Sequence, residues 1–88
     1  MDKIRNDLMA RLKRIEGQIK GVVKMVDEGR NCDEILIQIA SIRSALNKIG
    51  IMILENYLKI CLHKVNKKKK DFEEIENFFE TFSKYVKF

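Results

Sequence analysis

The stretch of sequence that determines the fold runs from residue 31 to residue 65 and reads NCDEILIQIASIRSALNKIGIMILENYLKICLHKV. Its apolar side chains recur at steps of three and four residues, which is the spacing of one face of an α-helix. Asn31 is placed to cap the first turn, and Glu34 three residues later completes a capping box. No proline interrupts the pattern. We therefore predict a single helix over about residues 32–66.

Two shorter helical patterns flank this stretch. Apolar residues at helical spacing predict a first helix over about residues 3–28, which Gly29 ends, and a third over about residues 71–87. The four lysines from Lys67 to Lys70 break the pattern between helices two and three and are typical of a solvated linker. With no proline and only four glycines in 88 residues, the chain lacks the turn residues that a sheet protein needs. We predict an all-α fold in which residues 1–88 form a single domain.

The length of helix two predicts that the chain does not act alone. A helix from Cys32 to Val65 is about 50 Å long, whereas a compact chain of this size has a radius of gyration of about 12 Å. Its apolar stripe would be exposed unless a second copy covered it. We therefore predict a homodimer in which helices one and two of both chains form an antiparallel four-helix bundle.

Composition also bears on location. No stretch approaches the eighteen or more consecutive apolar residues of a membrane span. No export signal is recognisable at the start of the sequence. We expect no membrane partner and a cytoplasmic location, where the two cysteines stay reduced.

Cys32 and Cys61 lie 29 positions apart on the predicted second helix. That spacing separates them by about 43 Å, which is beyond the reach of a disulfide or a shared metal ion. Both thiols nevertheless lie on nearly the same face, because 29 steps of about 100° end about 20° past eight full turns. An antiparallel partner helix that crosses near Leu46 and Asn47 would bring Cys32 of one chain beside Cys61 of the other. The spacing predicts two equivalent cross-chain thiol sites per dimer.

The residues alone leave three interpretations of these thiols open. Both could be small apolar core residues. Cys32 lies in the first turn of its helix beside Arg30, where the helix dipole and a cation favour a thiolate, as in a redox sensor with Cys61 as the resolving thiol. Two thiolates could also hold Cu(I) in low coordination. Tyr57 shares the face of Cys61, whereas the only histidine, His63, lies elsewhere on the helix, so a four-ligand zinc site is not available. We expect no required cofactor, with Cu(I) as the alternative ligand.

The net charge is positive over most of the chain and negative at its end. Residues 1 to 70 carry sixteen basic and eight acidic side chains, whereas residues 71 to 88 carry two and five. A basic surface of this kind fits the phosphates of duplex DNA, although no known DNA-binding motif is visible. The alternative is a helical adaptor whose basic face binds another protein. We expect no enzyme, since the sequence has no nucleophile–base pair and no phosphate-binding loop. The candidate DNA-binding residues are Arg11, Arg14, Gln18, Arg43 and Lys48.

More than half of the chain resembles the copper-sensitive operon repressor (CsoR) family of bacterial transcriptional repressors. The resemblance covers residues 11–62, RLKRIEGQIKGVVKMVDEGRNCDEILIQIASIRSALNKIGIMILENYLKICL, with the opening R-L-x-R-I-E-G-Q-I-x-G and the turn E-G-R-x-C as its most specific parts. It implies a dimer of antiparallel bundles, paired into a tetramer, that represses by binding operator DNA. It implies DNA contacts at Arg11 and Lys48, with Arg14 and Gln18 beside them. Ligand capture at a site shared by two protomers would release the DNA.

The departures from the family's copper pattern concern two positions. Copper sensors of the family carry Cys, His and Cys, and the histidine position is Tyr57 here. The tyrosine that precedes the first cysteine in some copper sensors is Asn31. Two cysteines without a histidine look most like the CsoR-like sulfurtransferase repressor (CstR) branch, which senses persulfides. The resemblance therefore implies that Cys32 and Cys61 are bridged by reactive sulfur, with a Cu(I) sensor that uses the same thiolates as the alternative.

Overall fold

The computed structural model describes residues 1–65 and 71–87. Three α-helices follow one another: α1 (Arg5–Asp27), α2 (Cys32–Val65) and α3 (Asp71–Lys87). Within the described residues there is no β-strand, and the prediction of a three-helix, all-α chain is confirmed. The predicted linker Lys67 to Lys70 and the predicted last residue of helix two, Asn66, lie outside the described residues. The helices form two compact units, Met1–Gly50 and Ile51–Phe88.

Helix α1 begins two residues later than the apolar pattern suggests. Ile4 occupies the N-cap position and makes no side-chain cap hydrogen bond. Its carbonyl accepts the first helical bond, from the Leu8 amide at 2.9 Å. An isoleucine cannot accept a bond from the open amides of the first turn, so the helix starts where backbone geometry alone allows it.

A tight turn joins α1 to α2. Gly29 has φ +68°, in the left-handed region that favours glycine. Its amide donates to the Val26 carbonyl at 3.1 Å, and the Arg30 amide donates to the Met25 carbonyl at 2.9 Å. These two bonds are the Schellman motif, which satisfies carbonyls at the end of α1. The Ile35 amide then donates to the Asn31 carbonyl at 3.2 Å and opens α2.

The first unit packs one face of α1 against the first half of α2. Its buried residues, Leu8, Ile15, Ile42 and Ile49, follow helical spacing. The apolar surface continues beyond this core into an open cavity of about 380 Å³. The cavity is lined by Ile19, Val22, Val23, Val26, Ile39 and Ile42. We call these six residues the apolar groove.

The second unit packs α3 against the last part of α2. Phe78 of α3 is 6% exposed and lies in edge contact with Tyr57 of α2, with 5.2 Å between ring centroids. Phe79 and Phe82 also contact Phe78, at 5.4 Å and 6.0 Å. Next to these rings is a cavity of about 200 Å³, lined by Ile51, Leu54, Glu55, Leu58, Phe78 and Phe82. Among the described residues, these rings form an aromatic cluster between α2 and α3.

Helix α2 is apolar on average, although it contains no uninterrupted apolar run as long as a membrane span. Over Cys32–His63 the helix is long and apolar enough to cross a membrane, judged by length and composition alone, and its most apolar window has a mean hydropathy of 1.3. The sequence criterion counted only uninterrupted apolar runs, whereas the average over a long window can stay apolar although Arg43 and Lys48 interrupt the run. Only 6% of that window is buried within one chain. Most of this apolar window is therefore exposed among the residues that the structure describes.

Candidate functional site

Cys32 is the first residue of α2 and is exposed. The neighbouring Arg30 directs its guanidinium to carboxylates: Nη2 and Nε lie 3.0 and 3.1 Å from Oε2 of Glu34, and Nη1 lies 4.0 Å from Oε2 of Glu28. Glu34 thus binds the Arg30 guanidinium, whereas the predicted capping box paired its carboxylate with the backbone amide of Asn31. The first turn of α2 also carries Asp33. The positive charge that we expected beside Cys32 is offset by carboxylates.

A second cavity, polar in part, borders the same turn. Its volume is about 350 Å³. The predicted DNA-binding residue Gln18 lines it, and the Oε1 atom of Gln18 is buried without a hydrogen-bond partner. That oxygen is not directed to open solvent, which distinguishes Gln18 from the exposed arginines nearby. The lining residues are Gln18, Gly21, Val22, Lys24, Met25, Glu28, Arg30 and Gln38.

Cys61 is the most deeply buried side chain of the described residues, with 1% of its surface exposed. Its Sγ donates a hydrogen bond to the backbone carbonyl of Glu74 in α3 at 3.5 Å. A thiol is a weak donor, so this contact fixes the direction of the S–H bond more than it stabilises the fold. The sulfur of Cys61 faces α3.

Tyr57 lies one helical turn before Cys61 and packs its ring against Phe78 with the ring planes 87° apart. Tyr57 and Cys61 are therefore both part of the surface that α3 covers. Asn31 and Cys32 belong to the first unit and are exposed, and His63 is exposed. Among the described residues no group of three or more His, Cys, Asp or Glu side chains could hold a metal ion. A metal site with several protein ligands cannot be built from those residues of one chain.

The predicted DNA-binding residues all belong to the first unit. Arg14, Arg43 and Lys48 are exposed. Arg11 is half-buried, and its Nε donates to Oδ1 of Asp7 at 3.0 Å. This ion pair orients the Arg11 guanidinium and partly neutralises it. A phosphate contact at Arg11 would have to share or break the Asp7 pair.

Three residues to which our sequence reasoning gave no role at the site now matter. Asp7 stands four residues before Arg11, a spacing at which opposite charges meet on a helix, so the pair could have been anticipated. Phe78 lies between Ile75 and Phe82 on one stripe of an amphipathic helix, which indicated burial without identifying its partner. Glu74 acts through its backbone carbonyl, for which side-chain patterns give no signal.

Comparison with known proteins gives consistent matches along the whole chain. The model of a family described as metal-sensitive transcriptional repressor matches residues 4–84. The copper-sensing transcriptional repressor CsoR of Bacillus subtilis (strain 168) is 32% identical over 85 residues, which are 97% of this chain and 84% of that protein.

Two solved structures share the fold. The crystal structure of the copper-sensing repressor CsoR with Cu(I) from Geobacillus thermodenitrificans NG80-2 superposes with a TM-score of 0.85 at 35% identity, covering 98% of this chain and 88% of that chain. The nickel-responsive transcriptional regulator InrS superposes with a TM-score of 0.82, also at 35% identity, covering 91% and 90%. The three-helix arrangement is thus shared with both.

Proposed function

Because the chain belongs to the CsoR family of metal-sensitive transcriptional repressors, we propose that it is an operator-binding repressor released from DNA when Cys32 and Cys61 of the partner subunit are joined. One observation carries the proposal: the two cysteines of the chain lie near opposite ends of the single helix α2. About eight helical turns separate them, so they cannot share a ligand within one chain. A shared site needs two protomers.

The assembly that supplies this site is an antiparallel four-helix bundle of two chains, two of which pair into a tetramer. The apolar groove and the exposed apolar residues of α2 support it, because they leave α2 largely uncovered in one chain. Lipid could cover the same surface, but a repressor must reach operator DNA. We therefore place the protein in the cytoplasm as a homo-oligomer with no membrane partner and no catalytic activity.

Reactive sulfur is the inducer that the donor set favours. At the position where copper sensors of this family carry histidine, the chain has Tyr57, whose ring packs on Phe78. Two thiols without an imidazole suit covalent sulfur chemistry better than a three-ligand metal site.

The reaction takes place in two steps. The Cys32 thiolate attacks the outer sulfur of a persulfide RSSH and forms a Cys32 persulfide, releasing the thiol RSH. The thiolate of Cys61 of the partner subunit then attacks the Cys32 sulfur and expels hydrosulfide. The two protein thiols are oxidised to a disulfide while the persulfide is reduced to RSH and H₂S. If both cysteines carry persulfides before they join, loss of H₂S leaves a bridge of three sulfur atoms.

Mass spectrometry and DNA-binding anisotropy test this chemistry together. Treating the reduced protein with glutathione persulfide should give covalently linked chains joined through Cys32 and Cys61, and operator affinity should fall in parallel. Cys32→Ala should still bind operator DNA but should not respond, because the attacking thiol is missing. Loss of DNA affinity while all chains stay unlinked would contradict the proposal.

Cu(I) is the second candidate inducer. The relatives that carry copper-sensing names, one of them solved with Cu(I), support it. Two thiolates from different chains can hold Cu(I) in two-coordinate geometry. Competition against a tight Cu(I) chelator separates the candidates: retention of Cu(I) with release of DNA favours copper, and loss of Cu(I) to the chelator favours sulfur.

Operator binding by the basic residues of the first unit is the other half of the proposal. Arg14, Arg43 and Lys48 are exposed and fit phosphate contacts, and Arg11 and Gln18 flank Arg14 on α1. A mobility-shift assay with duplex DNA at two salt concentrations tests this directly. A repressor shows a shift that weakens at the higher salt, whereas a protein-binding adaptor shows no shift at either.

A further inference from the structure

Helix α3 closes over the sulfur of Cys61. The thiol is 1% exposed, and its S–H bond is directed at the Glu74 carbonyl in the first turns of α3, 3.5 Å away. Cys32, in contrast, is exposed. A reagent in solution can therefore reach Cys32 without a change in structure, but it cannot reach Cys61 while α3 is in place.

Among the described residues, a ring contact and the Cys61 hydrogen bond join α3 to α2. Phe78 inserts its ring against Tyr57, whereas its neighbour Phe79 is 57% exposed and Val86, near the end of the helix, is 64% exposed. Part of the apolar surface of α3 is thus exposed, and an incompletely packed element opens more easily than the rest of a fold. The cavity of about 200 Å³ beside Phe78 shows that the packing there is incomplete.

Loading Cys61 is chemically incompatible with the closed position of α3. A cysteine that binds a metal ion or joins a sulfur bridge has lost its thiol proton. Without that proton Cys61 cannot donate to the Glu74 carbonyl, and the sulfur lone pairs would face the carbonyl oxygen instead. In addition, a bound metal ion or an added sulfur atom needs space beside a side chain that is only 1% exposed.

We propose that α3 is a cover that must leave Cys61 before this thiol can react or bind a ligand, and that loading of Cys61 keeps α3 displaced. Cys32 is then always the first thiol to react, and Cys61 is the second. The inference rests on the proposed function only in treating Cys61 as a sensing thiol. The position of α3 becomes the structural difference between the unloaded and the loaded protein, whichever ligand is bound.

Alkylation with iodoacetamide, followed by peptide mass spectrometry, measures access to each thiol without inducer or DNA. In the full-length reduced protein, Cys32 should be alkylated at least about tenfold faster than Cys61, because Cys61 reacts only during opening. Phe78→Ala should raise the Cys61 rate about tenfold or more and leave the Cys32 rate unchanged, since the ring that anchors α3 is removed. Val86→Ala is the matched control on the same helix and should change neither rate.

Either of two results would overturn the cover. Equal alkylation of Cys61 and Cys32 in the unmodified protein would show that α3 does not protect the sulfur. An unchanged Cys61 rate in Phe78→Ala would show that something other than α3 protects it. If circular dichroism shows that Phe78→Ala does not fold, Phe78→Leu takes its place, because it keeps apolar volume but loses the edge contact with Tyr57.

Hydrogen exchange tests the consequence of loading. In Cys32→Ala, complete alkylation of Cys61 removes the thiol proton and adds bulk. Amides of α3 should then exchange faster while amides of α1 keep their rates. Unchanged exchange in α3 would contradict the proposal. These results are independent of operator binding. A protein that does not respond to persulfide or Cu(I) could still have Cys61 covered by α3, and a protein that responds to either could lack this cover.

Discussion

At the scale of single residues, the two cysteines have the same side chain in opposite environments. Cys32 is exposed at the start of α2, and Cys61 is enclosed by α3. The exposed thiol contributes little packing, whereas the enclosed thiol contributes to the core of the second unit. Stability measurements should separate these contributions.

Cys61→Ala should lower the free energy of unfolding by about 1–2 kcal/mol, because it leaves a space where the sulfur packs and removes the bond to Glu74. Cys32→Ala is the matched control and should change it by less than about 0.5 kcal/mol, as is usual at exposed positions. Urea unfolding at one fixed protein concentration measures both. Equal losses for the two variants would mean that the partner subunit buries Cys32 as deeply as α3 buries Cys61.

For Arg30, the sequence predicted a cation beside Cys32 but did not predict which groups that cation binds. Its position beside Cys32 suggested a cation that favours a thiolate, but its guanidinium binds Glu34 and Glu28. The Arg30–Glu34 pair follows the i, i+4 spacing and was available in the sequence. The same glutamate also fitted a capping box with Asn31, and residue spacing alone does not decide between an ion pair and a cap.

At the scale of helices, the turn after α1 depends on the backbone of one residue. Gly29→Ala should lower the free energy of unfolding by about 1 kcal/mol, because a side chain is disfavoured at φ +68°. Gly21→Ala is the control inside α1, where an added Cβ would meet no atom within 4 Å. It should be neutral or stabilising by up to about 1 kcal/mol. Thermal unfolding of the two variants at equal concentration measures the difference, and a loss at Gly21 larger than at Gly29 would contradict this account.

Helix positions could be predicted from the sequence because they depend on local spacing. The run from Asn31 to Val65 keeps one apolar face with no proline, and α2 extends from Cys32 to Val65. Gly29 marked the end of α1, since glycine is the residue that adopts the left-handed turn at low cost. The start of α1 was less accurate, because Ile4 is no signal for an N-cap.

The enclosure of Cys61 could not be predicted in the same way. Helical spacing showed that Ile75, Phe78 and Phe82 form the apolar stripe of α3, but spacing does not say which surface that stripe meets. The contact with Glu74 involves a backbone carbonyl, which every residue possesses. Cys61 and Tyr57 could therefore be placed on one face of α2, and only the structure could show that α3 covers both.

At the scale of the whole molecule, the apolar groove should decide whether the chain assembles. Ile39, one of its residues, is 44% exposed in one chain. Ile39→Glu would bury a charge at the interface and should shift the protein toward monomer, because an unpaired buried carboxylate is strongly unfavourable. Gln38→Glu is the control: it introduces the same side chain at the preceding position, which lines the polar cavity, and should leave assembly unchanged. Sedimentation velocity over a range of concentrations distinguishes them, and two identical profiles would contradict an interface at the groove.

Charge distribution makes a separate prediction about DNA. Arg14→Ala should weaken operator binding and reduce the slope of log affinity against log salt by about 1, as expected for one lost phosphate contact. Lys84→Ala removes a charge of the same sign from α3, in the segment with excess acidic residues, and should leave the slope unchanged. Fluorescence anisotropy with labelled duplex at several salt concentrations provides both slopes. Equal effects of the two substitutions would indicate attraction by overall charge and not a defined surface.

The uncovered α2 helix has a consequence for gene dosage. A newly synthesised chain finishes folding by meeting another, a process whose rate rises with the square of the number of chains, while proteolysis of lone chains rises only in proportion to it. Scarce chains are therefore degraded before they meet, and abundant ones pair first. Operator occupancy should consequently rise steeply above a threshold of expression and should not increase in proportion to synthesis. This threshold is the lowest expression level at which such a regulator can keep its target genes repressed.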